Sequence, residues 1–373
     1  MVIHKKRAEQ TDGYWGQVIL GDTKRPGRIF YLDYLRVLAA VLVILVHVLS
    51  SVMEEMTEPS TARTVIAVVN SFCLSCNLLF LMISGAIIMN MKPEKWNGSV
   101  LTFYRRRLLR VLIPCFAYYL FYAYNAHGVS YFMPANWIDL VRHFVANDTG
   151  MVPHFWLMFV IVTTYFAVPL LALGLQAMTD RMLDGLAIAV LVLHAVYVYG
   201  PMLGFNFVSS TFLASWESLI ILGYYCTTKA AVRHYRLIMV GGGCAALFMI
   251  YAVVTLDHYD ELIYNNALPM VLLTASIFMF FRKHKDDLFA KGSKLLSVLS
   301  KYSFSILLMH WFILFEVVEK QMSLGGILLP AVLTLILGTL FAILFDNTVV
   351  LVMDTVINAG IDFLCRICGK RTK

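Results

Sequence analysis

The sequence predicts an all-α polytopic membrane protein of about ten transmembrane helices, with both termini in the cytoplasm. The 373-residue chain is 60% hydrophobic and only 14% charged, whereas soluble domains carry about 25% charged residues. Its apolar residues are gathered into runs, and most of its lysines and arginines lie between alternate runs. Long apolar runs predict spanning helices, and clustered basic residues predict which connections face the cytoplasm.

The predicted spans are the apolar runs that approach the ~20 residues a helix needs to cross about 30 Å of hydrocarbon. In chain order they lie near residues 34–53, 69–90, 108–126, 155–175, 184–200, 208–227, 237–256, 267–282, 302–320 and 326–348.

The basic residues fix the orientation of these spans. With both termini inside, all of the 30 lysines and arginines except Arg63, Arg142 and Lys320 lie in cytoplasmic segments or at the inner ends of spans. This is the positive-inside distribution, so the net charge of +7 reflects membrane topology and not nucleic-acid binding. We predict a multi-pass protein of the cell (inner) membrane, in contact with membrane lipid. It has an N-terminal segment 1–28, a membrane domain 29–350 and a basic cytoplasmic tail 351–373.

The seven cysteines include two CxxC pairs, Cys73/Cys76 and Cys365/Cys368. The predicted topology puts the first pair in the outer half of the second span and the second pair in the cytoplasm, so they cannot share one zinc ion. We predict packing thiols, no metal site and no permanently bound cofactor.

Arg36 and His47 lie inside the first predicted span, where ionisable side chains are costly and usually functional. The eleven-residue interval is almost three helical turns, so both lie on one face, separated by roughly 16 Å along the axis. Asp33, three residues before Arg36, is positioned to pair with it. His47 lies near the membrane midplane, too deep to reach the interface.

Other ionisable residues fall deep in spans. Glu217 lies in "ASWESLIILGYYC" and needs a partner, for which Arg36 and His47 are both candidates. His310 ends "KYSFSILLMH", which also contains Ser305, and is equally compatible with a structural and a functional role. His194 has no polar neighbour at helical spacing, which favours a structural hydrogen bond.

A second basic motif, "FYRRRLLRVLIP", sets Arg107 and Arg110 one turn apart at the inner end of the third span. Two guanidinium groups on one face can bind phosphates. The positive-inside rule alone also explains basic residues at this position.

Together these residues resemble the membrane-bound acyltransferase family 3. Its hallmarks are an arginine and a histidine with ten residues between them in the first span, here Arg36 and His47, and a cytoplasmic RxxR, here Arg107 and Arg110. The passages "NLLFLMISGAIIM", "PHFWLMFVIVTTYFAVPLL" and "KYSFSILLMH" are also similar, and the resemblance runs from about residue 28 to 345. The "HFW" passage and the chain length resemble the branch that O-acetylates surface polysaccharides such as enterobacterial common antigen.

The resemblance implies that cytoplasmic acetyl-CoA donates an acetyl group to a hydroxyl of an extracytoplasmic or lipid-linked glycan. Arg36, Arg107 and Arg110 would then bind the phosphates of the donor. His47 would act as general base or as nucleophile, and Glu217 would orient His47 or hold the acceptor. We also predict a set of substrate-binding residues, which are Asp33, His154, Trp156, Ser305 and His310.

Two alternatives remain open from the sequence. A proton-coupled transporter or channel could use His47, Glu217 and His310 as a relay, although it would leave the RxxR motif unexplained. The same fold could also use another donor, such as succinyl-CoA.

Overall fold

The computed structural model describes residues 28–56, 58–92, 100–146, 152–205, 213–264, 266–320, 322 and 325–367. This part of the chain is helical and contains no strand. The helices, numbered in chain order, are α1 Phe30–Glu55, α2 Thr61–Cys73, α3 Ser75–Ile88, α4 Val100–His127, α5 Trp137–Val145, α6 Trp156–Ala177, α7 Asp180–Tyr199, α8 Ser218–Tyr225, α9 Lys229–Arg233, α10 Tyr235–Thr255, α11 Tyr259–Ile263, α12 Leu268–Lys283, α13 Lys294–Phe312, α14 Leu328–Phe345 and α15 Leu351–Ile367.

The all-α membrane fold is confirmed. Within the described residues, seven helical segments are long and apolar enough to cross a membrane: 30–55, 61–88, 156–177, 180–199, 235–255, 294–319 and 328–367. The other three predicted spans coincide with α4, α8 and α12. Helix α8 has eight residues, about 12 Å of length, which is too short to cross a bilayer alone. The count of ten spans and the cytoplasmic location of both termini stay predictions.

Local sequence signals set several helix starts. The side chains of Ser60, Thr179, Thr228 and Ser293 each accept a hydrogen bond from the backbone N–H three residues later, at the starts of α2, α7, α9 and α13. Serine and threonine are preferred here because their hydroxyl oxygens satisfy amides that have no partner within the helix. These caps fix where the helices begin, and packing then fixes their arrangement.

Helix α1 lies at the centre of the bundle, packed against α3 and α13. It runs parallel to α13, since Asp33 meets Ser300 near their first turns and His47 meets His310 farther along. This register sets one polar contact at the N-terminal end of α1 and another roughly four turns farther along it.

Two glycines bring the backbones of α3 and α8 together. A Cβ added at Gly85 would collide with the backbone of Ile220, and one added at Gly223 would collide with the backbone of Met82. Close approach through small residues is the usual way in which membrane helices gain packing energy. The short helix α8 is therefore held directly against α3.

Two π-helical turns, Ile313–Glu319 and Asp346–Val350, follow α13 and α14. The first comes directly after the segment that carries His310, and the second leads from α14 into α15. The region predicted as a cytoplasmic tail from residue 351 is thus helical up to Ile367. Such turns are frequently found at functional sites.

Candidate active site

The predicted pair of Asp33 and Arg36 is present at the N-terminal end of α1. The Asp33 side chain, 4% exposed, accepts hydrogen bonds from Arg36 Nη1 at 2.7 Å, Arg28 Nε at 2.6 Å and Ser300 Oγ at 2.6 Å. A buried carboxylate is stable only with partners of this kind. Asp33 therefore fixes Arg36 and joins α1 to α13.

The three predicted donor-binding arginines all lie within electrostatic range of Tyr165 of α6. The guanidinium charges of Arg107, Arg36 and Arg110 all act electrostatically on the Tyr165 hydroxyl, and the tyrosine is buried. A hydrogen bond from Tyr104 Oη to the carbonyl of Phe166, 2.7 Å long, holds α4 beside α6 at this level. We call Arg36, Arg107, Arg110 and Tyr165 the arginine group.

Arg105, in the same basic run, has a different environment. It forms an ion pair with Asp362 at 2.6 Å and hydrogen bonds to Asn358, which joins the start of α4 to α15. Arg106 is exposed. The structure thus distinguishes the arginines of "RRRLLR" by their environments, which the sequence motif alone could not do.

In the C-terminal half of α1, His47 lies together with two histidines from other segments. The ring centroids of His47 and His310 are 5.1 Å apart and nearly parallel, and those of His154 and His310 are also 5.1 Å apart. Trp311 contacts the His47 ring edge-on at 5.0 Å and stacks with His154 at 6.0 Å. We call His47, His154, His310 and Trp311 the histidine cluster. Within the described part of the chain, no three His, Cys, Asp or Glu side chains are arranged to hold a metal ion.

The hydrogen bonds of two rings in this cluster show which ring nitrogen carries a proton. His310 Nδ1 lies 2.6 Å from the carbonyl oxygen of Leu307, and His154 Nε2 lies 2.9 Å from that of Leu308. A carbonyl oxygen only accepts, so each of these nitrogens carries a proton, and in a neutral ring the other nitrogen carries a lone pair. These lone-pair nitrogens, His310 Nε2 and His154 Nδ1, are buried and have no hydrogen-bond partner among the described residues.

Tyr122 of α4 is hydrogen-bonded to the backbone on both sides of His310. Its hydroxyl donates to the carbonyl of Leu308 at 3.1 Å and accepts from the N–H of Phe312 at 3.2 Å. Leu308 therefore anchors both Tyr122 and His154 at the end of α13. Tyr122, Tyr165 and Trp311 were not predicted from the sequence, although Tyr165 lies in the passage "PHFWLMFVIVTTYFAVPLL" and Trp311 directly follows His310.

The remaining predicted residues lie elsewhere. Glu217 precedes the first residue of α8, and in the described part of the chain its carboxylate contacts neither Arg36, which pairs with Asp33, nor His47. Trp156 packs on Trp216, with ring centroids 4.8 Å apart.

Ser305 donates to Asp346 Oδ2 at 2.6 Å, and Tyr118 donates to Asp346 Oδ1 at 3.0 Å. Ser305 therefore belongs to a contact between α13 and the start of the second π-helical turn. The structural role predicted for His194 is confirmed, because its Nδ1 bonds the carbonyl of Asn266 and its Nε2 bonds Ser218 Oγ. Cys73 and Cys76 are buried free thiols.

Comparison with known proteins identifies the family. A family model described as an acyltransferase domain matches residues 29–346. The chain belongs to acyltransferase family 3. The match spans both the arginine group and the histidine cluster and ends at Asp346, so the protein is a multi-pass membrane acyltransferase. No curated protein and no solved structure matches the chain.

Proposed function

We propose that this acyltransferase moves an acetyl group from cytoplasmic acetyl-CoA to a hydroxyl of an extracytoplasmic or lipid-linked glycan. The observation that carries the proposal is the division of the site along α1 into an arginine group and a histidine cluster. Arg36 and His47 belong to the two halves and are eleven residues apart, which is roughly 16 Å along a helix.

The arginine group suits the charged end of the donor. Coenzyme A carries phosphates, which bind guanidinium groups through charge-assisted hydrogen bonds. The same phosphates cannot enter the hydrocarbon, so the thioester must reach the midplane on the extended pantetheine arm. Phosphates bound at Arg36, Arg107 and Arg110 would direct that arm along α1 toward His47.

The histidine cluster suits acyl transfer. As a general base, a His47 nitrogen takes the proton of the acceptor hydroxyl while the oxygen attacks the thioester carbonyl carbon. The carbon–sulfur bond then breaks, and the proton passes to the departing thiolate. As a nucleophile, a His47 nitrogen attacks the same carbon first, and the carbon–sulfur bond breaks to leave an acetyl-imidazole. The departing thiolate takes the proton of the resulting imidazolium. The acceptor oxygen then attacks the acetyl carbon, the carbon–nitrogen bond breaks, and the hydroxyl proton returns to His47.

The acceptor proposal rests on the aromatic residues at the start of α6. Trp156 and Trp216 pack against each other, and indole faces offer the apolar surface on which sugar rings stack. His154, just before Trp156, extends the same region to the histidine cluster. We assign the enzyme to the inner membrane and to the branch that acetylates surface polysaccharides, of which the enterobacterial common antigen type is the model.

A proton-coupled transporter or channel is the second candidate, favoured by the direct contact of His47 with His310. The relay predicted for it also required Glu217, which contacts neither histidine in the described part of the chain. The two functions differ in a simple observable, since only the acyltransferase consumes a thioester.

The test uses purified protein in lipid nanodiscs, supplied with labelled acetyl-CoA and extracted membrane glycolipids. We expect release of the coenzyme A thiol and transfer of label to a glycan, with little release from succinyl-CoA. The matched control is the His47→Ala protein in the same nanodiscs. Absence of thiol release by the wild-type protein, with or without glycolipid, would contradict the proposal. Loss of acetyl groups from surface glycans in a deletion strain would identify the acceptor.

A further inference from the structure

The His310 lone pair is not used by the chemistry described so far. The His310 side chain is 0% exposed, and its Nδ1 is committed to the Leu307 carbonyl. Its Nε2 is buried without a partner among the described residues. A buried acceptor left unpaired costs roughly 1–3 kcal/mol, so its retention beside the reacting histidine calls for a functional explanation.

His47 lacks the partner that a catalytic histidine ordinarily has. A base or nucleophile is usually oriented by a third group that accepts the N–H on the far side of its ring. His47 is half-buried and makes no hydrogen bond with a described residue. No carboxylate in that part of the chain contacts its ring, whereas His310 lies against one face of it.

We propose that His310 is the positioning residue for His47: its Nε2 accepts the N–H of the His47 nitrogen that does not react. This inference rests on the proposed acyl transfer. The structure holds the two rings stacked, without a hydrogen bond between them. The proposed bond therefore requires the half-buried His47 ring to rotate about its side-chain bonds until its N–H points at the Nε2 lone pair.

The role is the same in both routes. When His47 takes the hydroxyl proton, or when it carries the acetyl group, one nitrogen has formed a new bond and the ring is a cation. The remaining N–H then needs an acceptor, because a cation in a low-dielectric site is stabilised strongly by a hydrogen bond. Leu307 keeps the His310 proton on Nδ1 throughout, so Nε2 stays available as that acceptor.

Two conservative variants test this role. In His310→Asn the side-chain amide can still donate to Leu307, but no atom occupies the position of Nε2. In His310→Gln the longer side chain can bring its amide oxygen to that position. A hydrogen bond to a charged group typically changes a rate by roughly 10-fold to 100-fold. We therefore expect kcat to fall by that factor in the Asn variant and to recover at least several-fold in the Gln variant. The KM for acetyl-CoA should stay unchanged in both.

The matched control is His194→Asn, since His194 is also a buried histidine but has both nitrogens bonded. It should lower thermal stability without changing the kcat of the folded protein. Equal kcat values for the Asn and Gln variants of His310, or wild-type kcat in the Asn variant, would overturn the proposal. If the Asn variant does not fold, a Gln variant below one hundredth of wild-type kcat would overturn it. Thiol release by wild-type protein in the same experiment tests the acyl-transfer function separately.

Discussion

Replacing single arginines of the run 105–110 by alanine separates donor binding from structural and topological roles. The charges of Arg107 and Arg110 both act on the Tyr165 hydroxyl, and in the proposed function each contacts a phosphate of acetyl-CoA. A charge-assisted contact is worth about 1.5–3 kcal/mol, which corresponds to roughly 10-fold to 100-fold in Kd. Arg110 is exposed whereas Arg107 is half-buried. Solvent screening therefore puts Arg110→Ala near the lower figure and Arg107→Ala near the upper one.

The run also supplies its own controls. Arg106→Ala removes an exposed charge and should leave the Kd for acetyl-CoA within about twofold of wild type. Arg105→Ala breaks the ion pair with Asp362 and should release α15 to proteolysis. The assay is equilibrium binding of radiolabelled acetyl-CoA to protein in nanodiscs, at two salt concentrations. Equal losses for Arg106 and Arg107, or no loss for Arg107 and Arg110, would refute the assignment and leave only a topological role for the run.

Three further predictions concern the rest of the chain. His47→Ala should stay folded and bind acetyl-CoA, while turnover falls by roughly 10²–10⁴, the usual cost of losing a general base. If wild-type protein incubated with labelled acetyl-CoA and no acceptor carries the label on His47, that residue is a nucleophile. Gly223→Ala should destabilise the protein by roughly 1–3 kcal/mol through its collision with the α3 backbone, whereas Gly243→Ala, with open space around it, should not lower the thermal midpoint. A reporter fused after Lys373 should be active only in the cytoplasm, and activity outside would refute the topology.

The sequence predicted what depends on helical periodicity and on the cost of burying charge. Arg36 and His47 share a helix, so their spacing gave their separation, and Asp33 was identified as the partner of Arg36 from its position one turn away. The isolated His194 was correctly assigned a structural bond. Each of these inferences needs only neighbours along one helix and the requirement that buried polar groups be satisfied.

Contacts between distant segments could not be read in this way. His154, His47 and His310 come from three segments, and their contact follows from how α1, α13 and the short turn Pro153–Phe155 before α6 pack. The same holds for Tyr165, which meets arginines from α1 and α4. Two partners, Arg36 and His47, were predicted for Glu217 because it is acidic and lies in an apolar run. Its position before the short helix α8 depends on the close packing of that helix against α3.

The ion pair between Arg105 and Asp362 has a practical consequence for work on the protein. It joins the last described helix to the part of α4 that carries Arg107, so the C-terminal region is connected directly to the arginine group. If that group binds acetyl-CoA as proposed, a purification tag, a fluorescent fusion or a shortened C-terminus that disturbs α15 would change the apparent affinity for this donor. Kinetic comparisons of homologues with different C-terminal lengths would show the same effect as a difference in KM, even where every residue at the reacting centre is identical.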